Sequence, residues 1–97
     1  MPKAYLISAY RAVHDPEKLA AYAKIAGPAI AAAGGRFLAR GPSAEVYEAG
    51  IAQRTVIIEF DSLEAARALY GSEGYRAALA ALDGAAERDM RVVEGVG

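Results

Sequence analysis

The sequence predicts an α+β fold, a four-stranded antiparallel sheet carrying its helices on one face, in the order strand, helix, strand, strand, helix, strand. Three observations predict it. Arg54 to Asp61 holds four β-branched residues in a row followed by an aromatic, the most strand-like stretch of the 97 residues. Asp15-Pro16-Glu17 and Asp61-Ser62-Leu63-Glu64 each follow such a stretch and carry the signals of a helix start. Hydrophobic residues make up 55% of the chain, more apolar surface than one layer of helices can hide in so short a protein. Right-handed crossovers then give the strand order 4-1-3-2, with Arg54–Asp61 central beside the first strand.

Taken in order, Ala4 to Val13 is the first strand, with Tyr5, Ile7, Ala9 and Arg11 on one side and Leu6, Ser8 and Tyr10 on the other. Asp15 caps the helix that follows, and Leu19, Tyr22, Ala23, Ala26, Ile30 and Ala33 form its apolar stripe. Gly27-Pro28 interrupts that stripe. Proline there removes the bond to the Lys24 carbonyl, so a kink or a restart is expected. Gly34-Gly35 ends the helix. Arg36 to Gly41 is the second strand, broken at Gly41-Pro42-Ser43 and expected to resume over Ala44 to Ala49 as one bent edge strand.

Arg54 to Asp61 follows, with Val56, Ile58 and Phe60 facing the helices and Thr55, Ile57 and Glu59 facing away. Leu63, Ala66, Leu69 and Tyr70 supply the buried side of the second helical region. Gly71-Ser72 breaks it, and a second piece carries Tyr75, Ala78, Leu79 and Leu82. That piece is expected to fray by Arg88, leaving Met90 to Val96 as the last strand. The helix-free face, with Ile57, Glu59, Leu38 and Val92, is too apolar to stay wet, and a second copy of the chain is expected to cover it.

Composition excludes several classes. The net charge is −1, with 11 basic and 12 acidic residues and no run of either sign, which argues against a grip on nucleic acid or an acidic membrane. Without cysteine there are no disulfides and no thiolate sites, and a single histidine makes a dedicated metal site unexpected. No signal peptide and no apolar run of membrane-spanning length is present, so a cytoplasmic protein is expected. Neither a phosphate-cradling glycine loop nor a zinc or nucleotide fingerprint occurs. No cofactor is implied by the residues.

Ala26-Gly27-Pro28-Ala29, then Gly34-Gly35-Arg36-Phe37-Leu38-Ala39-Arg40-Gly41, resembles a short bacterial family known as domain of unknown function 1330. So do Arg54 to Phe60 with Ser62-Leu63-Glu64-Ala65-Ala66-Arg67, Tyr70, Ser72 and Tyr75, and Val92-Val93-Glu94-Gly95-Val96. The resemblance covers essentially the whole chain as one domain. It implies a ferredoxin-like βαββαβ sandwich that pairs face to face as a dimeric α+β barrel. That superfamily includes cofactor-free monooxygenases, lactone isomerases and haem-dependent enzymes, so the fold does not select an activity. Glu73-Gly74 departs from the proline and acid that such chains often carry before Tyr75, a change expected to loosen that helix start.

The candidate chemistry is sparse. Glu59, a carboxylate on a central strand, would have its pKa raised by burial and serve as a base; its structural alternative is a cross-strand partner for Arg36 or Arg40. His14, at the end of the first strand, is the second acid–base candidate and otherwise an exposed loop residue. Arg40 and Arg54 are candidates to hold an anionic ligand or to brace sheet edges. Tyr10, Tyr22, Tyr70 and Tyr75 are candidates to line a small ligand cleft, or to pack the core with their hydroxyls at its rim. Two functions follow: a homodimer that binds or transforms a small organic molecule without a metal, or a non-catalytic dimerisation domain. A cleft reached by both Glu59 and a tyrosine favours the first, solid packing the second.

Overall fold

In the computed structural model, which describes residues 2–96, the most strand-like stretch does lie inside the sheet. The elements run β1 (Ala4–Val13), α1 (Pro16–Ala32), β2 (Arg36–Pro42), β3 (Arg54–Phe60), α2 (Leu63–Gly71), α3 (Glu73–Leu82) and β4 (Ala86–Glu94). The strands form one antiparallel sheet in the order β2-β3-β1-β4, the expected order read from the opposite edge. The arrangement is the ferredoxin-like βαββαβ sandwich, its second helical segment broken into α2 and α3.

Caps set the helix starts. The Asp15 carboxylate accepts from the Glu17 and Lys18 amides, both at 3.1 Å. Ser62 accepts from Ala65 N at 3.1 Å and Ser72 from Tyr75 N at 3.2 Å, so α2 and α3 each have one free first-turn amide satisfied by a cap. Ser72 thus holds the start of α3 despite Gly74. A Cβ on Gly74 would sit 3.1 Å from that of Ala29, so glycine here lets α3 lie close on α1. At Pro28 no restart occurs: α1 runs through it to Ala32.

Alternation sorts the sheet into two faces. Val56, Ile58 and Phe60 of β3 and Ala4, Leu6, Ser8 and Tyr10 of β1 are buried beneath the helices. Phe60 of the sheet, with Leu69 of α2 and Tyr75 of α3, are the largest fully enclosed side chains of the core. Gly35 sits where α1 turns into β2, and a Cβ there would meet Ile30 at 2.6 Å and Ile58 and Phe60 at 3.0 Å. No side chain fits in that space. Tyr5, Ile7, Thr55 and Ile57 are half-buried on the helix-free face, with Leu38 and Val93 exposed around them.

Several details differ from expectation. Ala44 to Ala49 is not a strand: the ladder ends at the Pro42–Arg54 pair, and Gly50 N donates to Tyr47 O at 2.8 Å in a turn that holds Glu48 at φ 52°. Ser43 ties the base of this loop through its hydroxyl to Gln53 O at 2.6 Å. β4 begins at Ala86, well before Met90, because Asp83 (φ 36°) and Gly84 (φ 72°) stop α3. The His14 amide then donates to Ala85 O at 2.6 Å, stitching β4 to the end of β1. Val92 pairs with Leu6 and so belongs to the helix-facing side, as does Glu94, opposite Ala4; Val93 takes the outer side with Ile57 and Glu59. Finally, β2 carries its bulge inside the strand, between Phe37 and Ala39. The extra residue puts Arg40 on the same side as Phe37 rather than that of Arg36.

Candidate functional site

Between α1 and the sheet the small residues of the helix leave space. Ala20, Ala23, Ala26 and Gly27 face the floor made by Leu6, Val56 and Ile58, and a cavity of about 280 Å³ remains between them. Its size falls just below the usual range for small-molecule pockets, which begins at about 300 Å³. The polar groups gather at one end. Arg40 comes from β2, Arg54 from β3, Ser8 and Tyr10 from β1, Arg88 and Met90 from β4, with Tyr22 and Tyr75 overhead from α1 and α3.

The tyrosines are organised by hydrogen bonds. The Tyr22 and Tyr75 hydroxyls are 2.6 Å apart, with their rings edge to face at 6.0 Å. Arg88 Nη1 donates to the Tyr22 hydroxyl at 3.0 Å, and its guanidinium lies over the rings of Tyr22 (4.8 Å) and Tyr10 (5.7 Å). Burial, and then Tyr22 beside it, push the Tyr75 hydroxyl well above its ordinary pKa, so it stays protonated. Arg40 lies over the Phe37 ring at 4.3 Å, a cation held at the cavity wall. Ser8 is buried, and its hydroxyl has no hydrogen-bond partner among the described residues.

The structure therefore brings together five of the candidates: Tyr10, Tyr22, Tyr75, Arg40 and Arg54 all line the cavity. Tyr70 does not. Its ring packs on the outer side of Tyr75 at 5.2 Å and is largely exposed. Glu59 lies on the other face of the sheet, where it accepts from Arg36 Nε at 3.1 Å, and Lys3 stands 3.8 Å away. Its cross-strand partner is Arg36, not Arg40, since the bulge has turned Arg40 to the opposite side. His14 is exposed and pairs with Glu87 at 2.7 Å. The cleft is thus reached by tyrosines but not by Glu59.

Sequence reasoning missed Ser8, Arg88 and Met90 as cavity residues. The signal for the last two was Asp83-Gly84, a turn dipeptide that ends α3 and lets Ala86, Arg88 and Met90 alternate on a strand. Among the described residues no group of three or more histidines, cysteines or acids stands ready to hold a metal, and no helix is long and apolar enough to cross a membrane.

Fold and cavity together define a ferredoxin-like α+β protein with a small, mostly apolar pocket beneath its long helix. The chain belongs to the family described as Domain of unknown function (DUF1330), which it matches over residues 3–96. No curated protein matches it. Among solved structures it is similar to a protein of unknown function from Rhodopseudomonas palustris, at 18% identity and TM-score 0.74, covering 99% of this chain and 84% of that one. It also resembles a dimeric ferredoxin-like protein of unknown function from Thermobifida fusca, with 18% identity and TM-score 0.66 over 97% of this chain and 92% of that one. A variant of a cofactor-independent oxygenase from Streptomyces nogalater aligns at 13% identity and TM-score 0.70, over 100% of this chain and 96% of that one. At such identities the likeness establishes the fold and not the activity.

Proposed function

We propose that this chain, acting as one domain, pairs into a homodimeric α+β barrel and takes a small organic molecule into the cavity between α1 and the sheet. The cavity carries the reading. Its apolar floor of Leu6, Val56 and Ile58 is reached past the exposed Ala20, Ala23 and Phe37, so a small molecule can enter from solvent and cover that floor. Alanines and glycine on the α1 face keep that space open where larger apolar residues would close it. Tyr10, Tyr22, Tyr75, Arg40 and Arg54 are the ligand-holding residues in this reading.

Pairing through the helix-free face is supported by the half-buried Ile7 and Ile57, the exposed Leu38 and Val93, and the description of two similar structures as dimeric. Transformation of the ligand in a monooxygenase- or isomerase-like way rests on the resemblance to that superfamily. Glu59 and His14 act outside the cavity, in the ion pairs that surround them.

Protein-observed NMR against one- and two-ring organic compounds tests the reading. Binders should shift the resonances of Ala23, Val56 and Met90, and Ala26→Met, which fills the space, should abolish those shifts. Glu59→Gln and His14→Gln should leave them unchanged. If no compound perturbs the cavity, the chain is a non-catalytic dimerisation domain instead.

A further inference from the structure

We infer that the molecule this cavity takes is an organic anion, a flat apolar body of one or two rings carrying a carboxylate or an ionised enol at the end lined by Arg40, Arg54 and Arg88. The inference rests on the small-molecule reading above and adds the ligand's charge. Three of the four strands each place an arginine on the helix-facing side at the same end: Arg40 opposite Val56, Arg54 two residues before it, and Arg88 opposite Tyr10. The chain has 12 acidic residues, yet none of them lines the cavity.

Lys3, Arg11, Lys18, Arg36 and Arg91 each stand within 4.0 Å of a carboxylate, whereas among the described residues Arg40, Arg54 and Arg88 stand near none. Among the described residues Lys24, Arg67 and Arg76 have no carboxylate within 4.0 Å either, but all three are exposed to water on the helices, away from the cavity. Arg88 is half-buried, and a guanidinium does not relieve that burial by losing its proton. Its side chain donates one hydrogen bond, to Tyr22, and the rest of the fork is unspent. The fork lies within 4.8 Å of the Tyr22 ring and 5.7 Å of the Tyr10 ring, and a guanidinium so placed suits a planar anion.

The enclosed, unpartnered Ser8 hydroxyl marks the floor at this end and offers a second, directional contact to the same ligand. The rest of the lining is apolar. An engineered cavity of about 150 Å³ holds one benzene ring, so one of about 280 Å³ has room for two fused rings.

The test compares 2-naphthoate with its neutral isostere 2-naphthamide, read by naphthalene fluorescence, which no tryptophan obscures in this chain. Naphthoate should bind at least about tenfold more tightly than the amide, with a preference that weakens as salt is added. Arg88→Gln should remove most of the preference and Arg88→Lys should keep part of it. Should Arg88→Gln fail to fold, Arg40→Gln and Arg54→Gln should each reduce it. Equal affinity for both compounds would overturn the anion inference and leave the cavity reading standing. Binding of neither would overturn both. Naphthoate binding that survives Ala26→Met would place it on the surface, and the inference would fall.

Discussion

Removing the Tyr75 hydroxyl should cost less than removing that of Tyr22, although Tyr75 is the more deeply enclosed, at 1% exposure against 8%. Tyr75→Phe deletes one bond between neutral groups, the 2.6 Å contact, and Tyr22 keeps its bond from Arg88 at 3.0 Å. Nothing is orphaned, so the loss is that of one ordinary hydrogen bond, about 1 kcal/mol. Tyr22→Phe strands both neighbours. The Tyr75 hydroxyl is left enclosed without its partner, at about 1–3 kcal/mol, and Arg88 loses a charge-assisted bond, for a total of about 3 kcal/mol. In a chain of this length about 1 kcal/mol moves the melting temperature by roughly 4–8 °C. Tyr75→Phe should therefore melt about 4–8 °C low and Tyr22→Phe about 12–24 °C low, in scans at one fixed protein concentration. Urea titration of the double variant should show strong non-additivity, because the two changes share a bond. If Tyr75→Phe costs as much as Tyr22→Phe, the hydroxyls do not form the linear relay seen here.

Further consequences are open to measurement. Because the folded-state pKa of Tyr75 is raised above its ordinary value of 10.0, its contribution to stability is fully present below about pH 10 and is lost as pH rises through the folded value; alkaline titration should show that fall, and Tyr75→Phe should flatten it. Gly35→Ala should destabilise by about 1–3 kcal/mol in urea titration, since the new methyl meets Ile30, Ile58 and Phe60; a neutral result would mean β2 moves away freely. Ile57→Asp puts a charge at the middle of the helix-free face and should reduce the mass seen by light scattering to that of one chain or unfold it; an unchanged dimer mass would count against pairing through that face.

Much of this architecture was legible because each signal was local. The alternation in Arg54–Phe60 needs only its own residues, and so do the capping side chains of Asp15, Ser62 and Ser72. What escaped depends on partners distant in sequence. Val46 and Tyr47 have strand-forming side chains, but the turn from Tyr47 to Gly50 leaves them no neighbouring strand to pair with. Ala85 and Ala86 continue a helical pattern until Asp83 and Gly84 adopt positive φ, after which pairing with β1 wins. The side taken by Arg40 is decided by a register shift against Ile57, which no periodicity within β2 reveals. For the same reason the sequence left Glu59 with two candidate partners, Arg36 and Arg40, and did not reveal the company kept by Arg88.

The two-sidedness of β3 has a bearing on how such a protein can change. Arg54, Val56 and Ile58 border the cavity, while Thr55, Ile57 and Glu59 look the other way. Even and odd positions of one ribbon therefore meet separate surroundings, so in the proposed homodimer substitutions at one parity would reshape the cavity without touching the pairing face. In a back-to-back pair the two pockets would be walled off by both sheets, and each should fill independently along a simple hyperbolic curve.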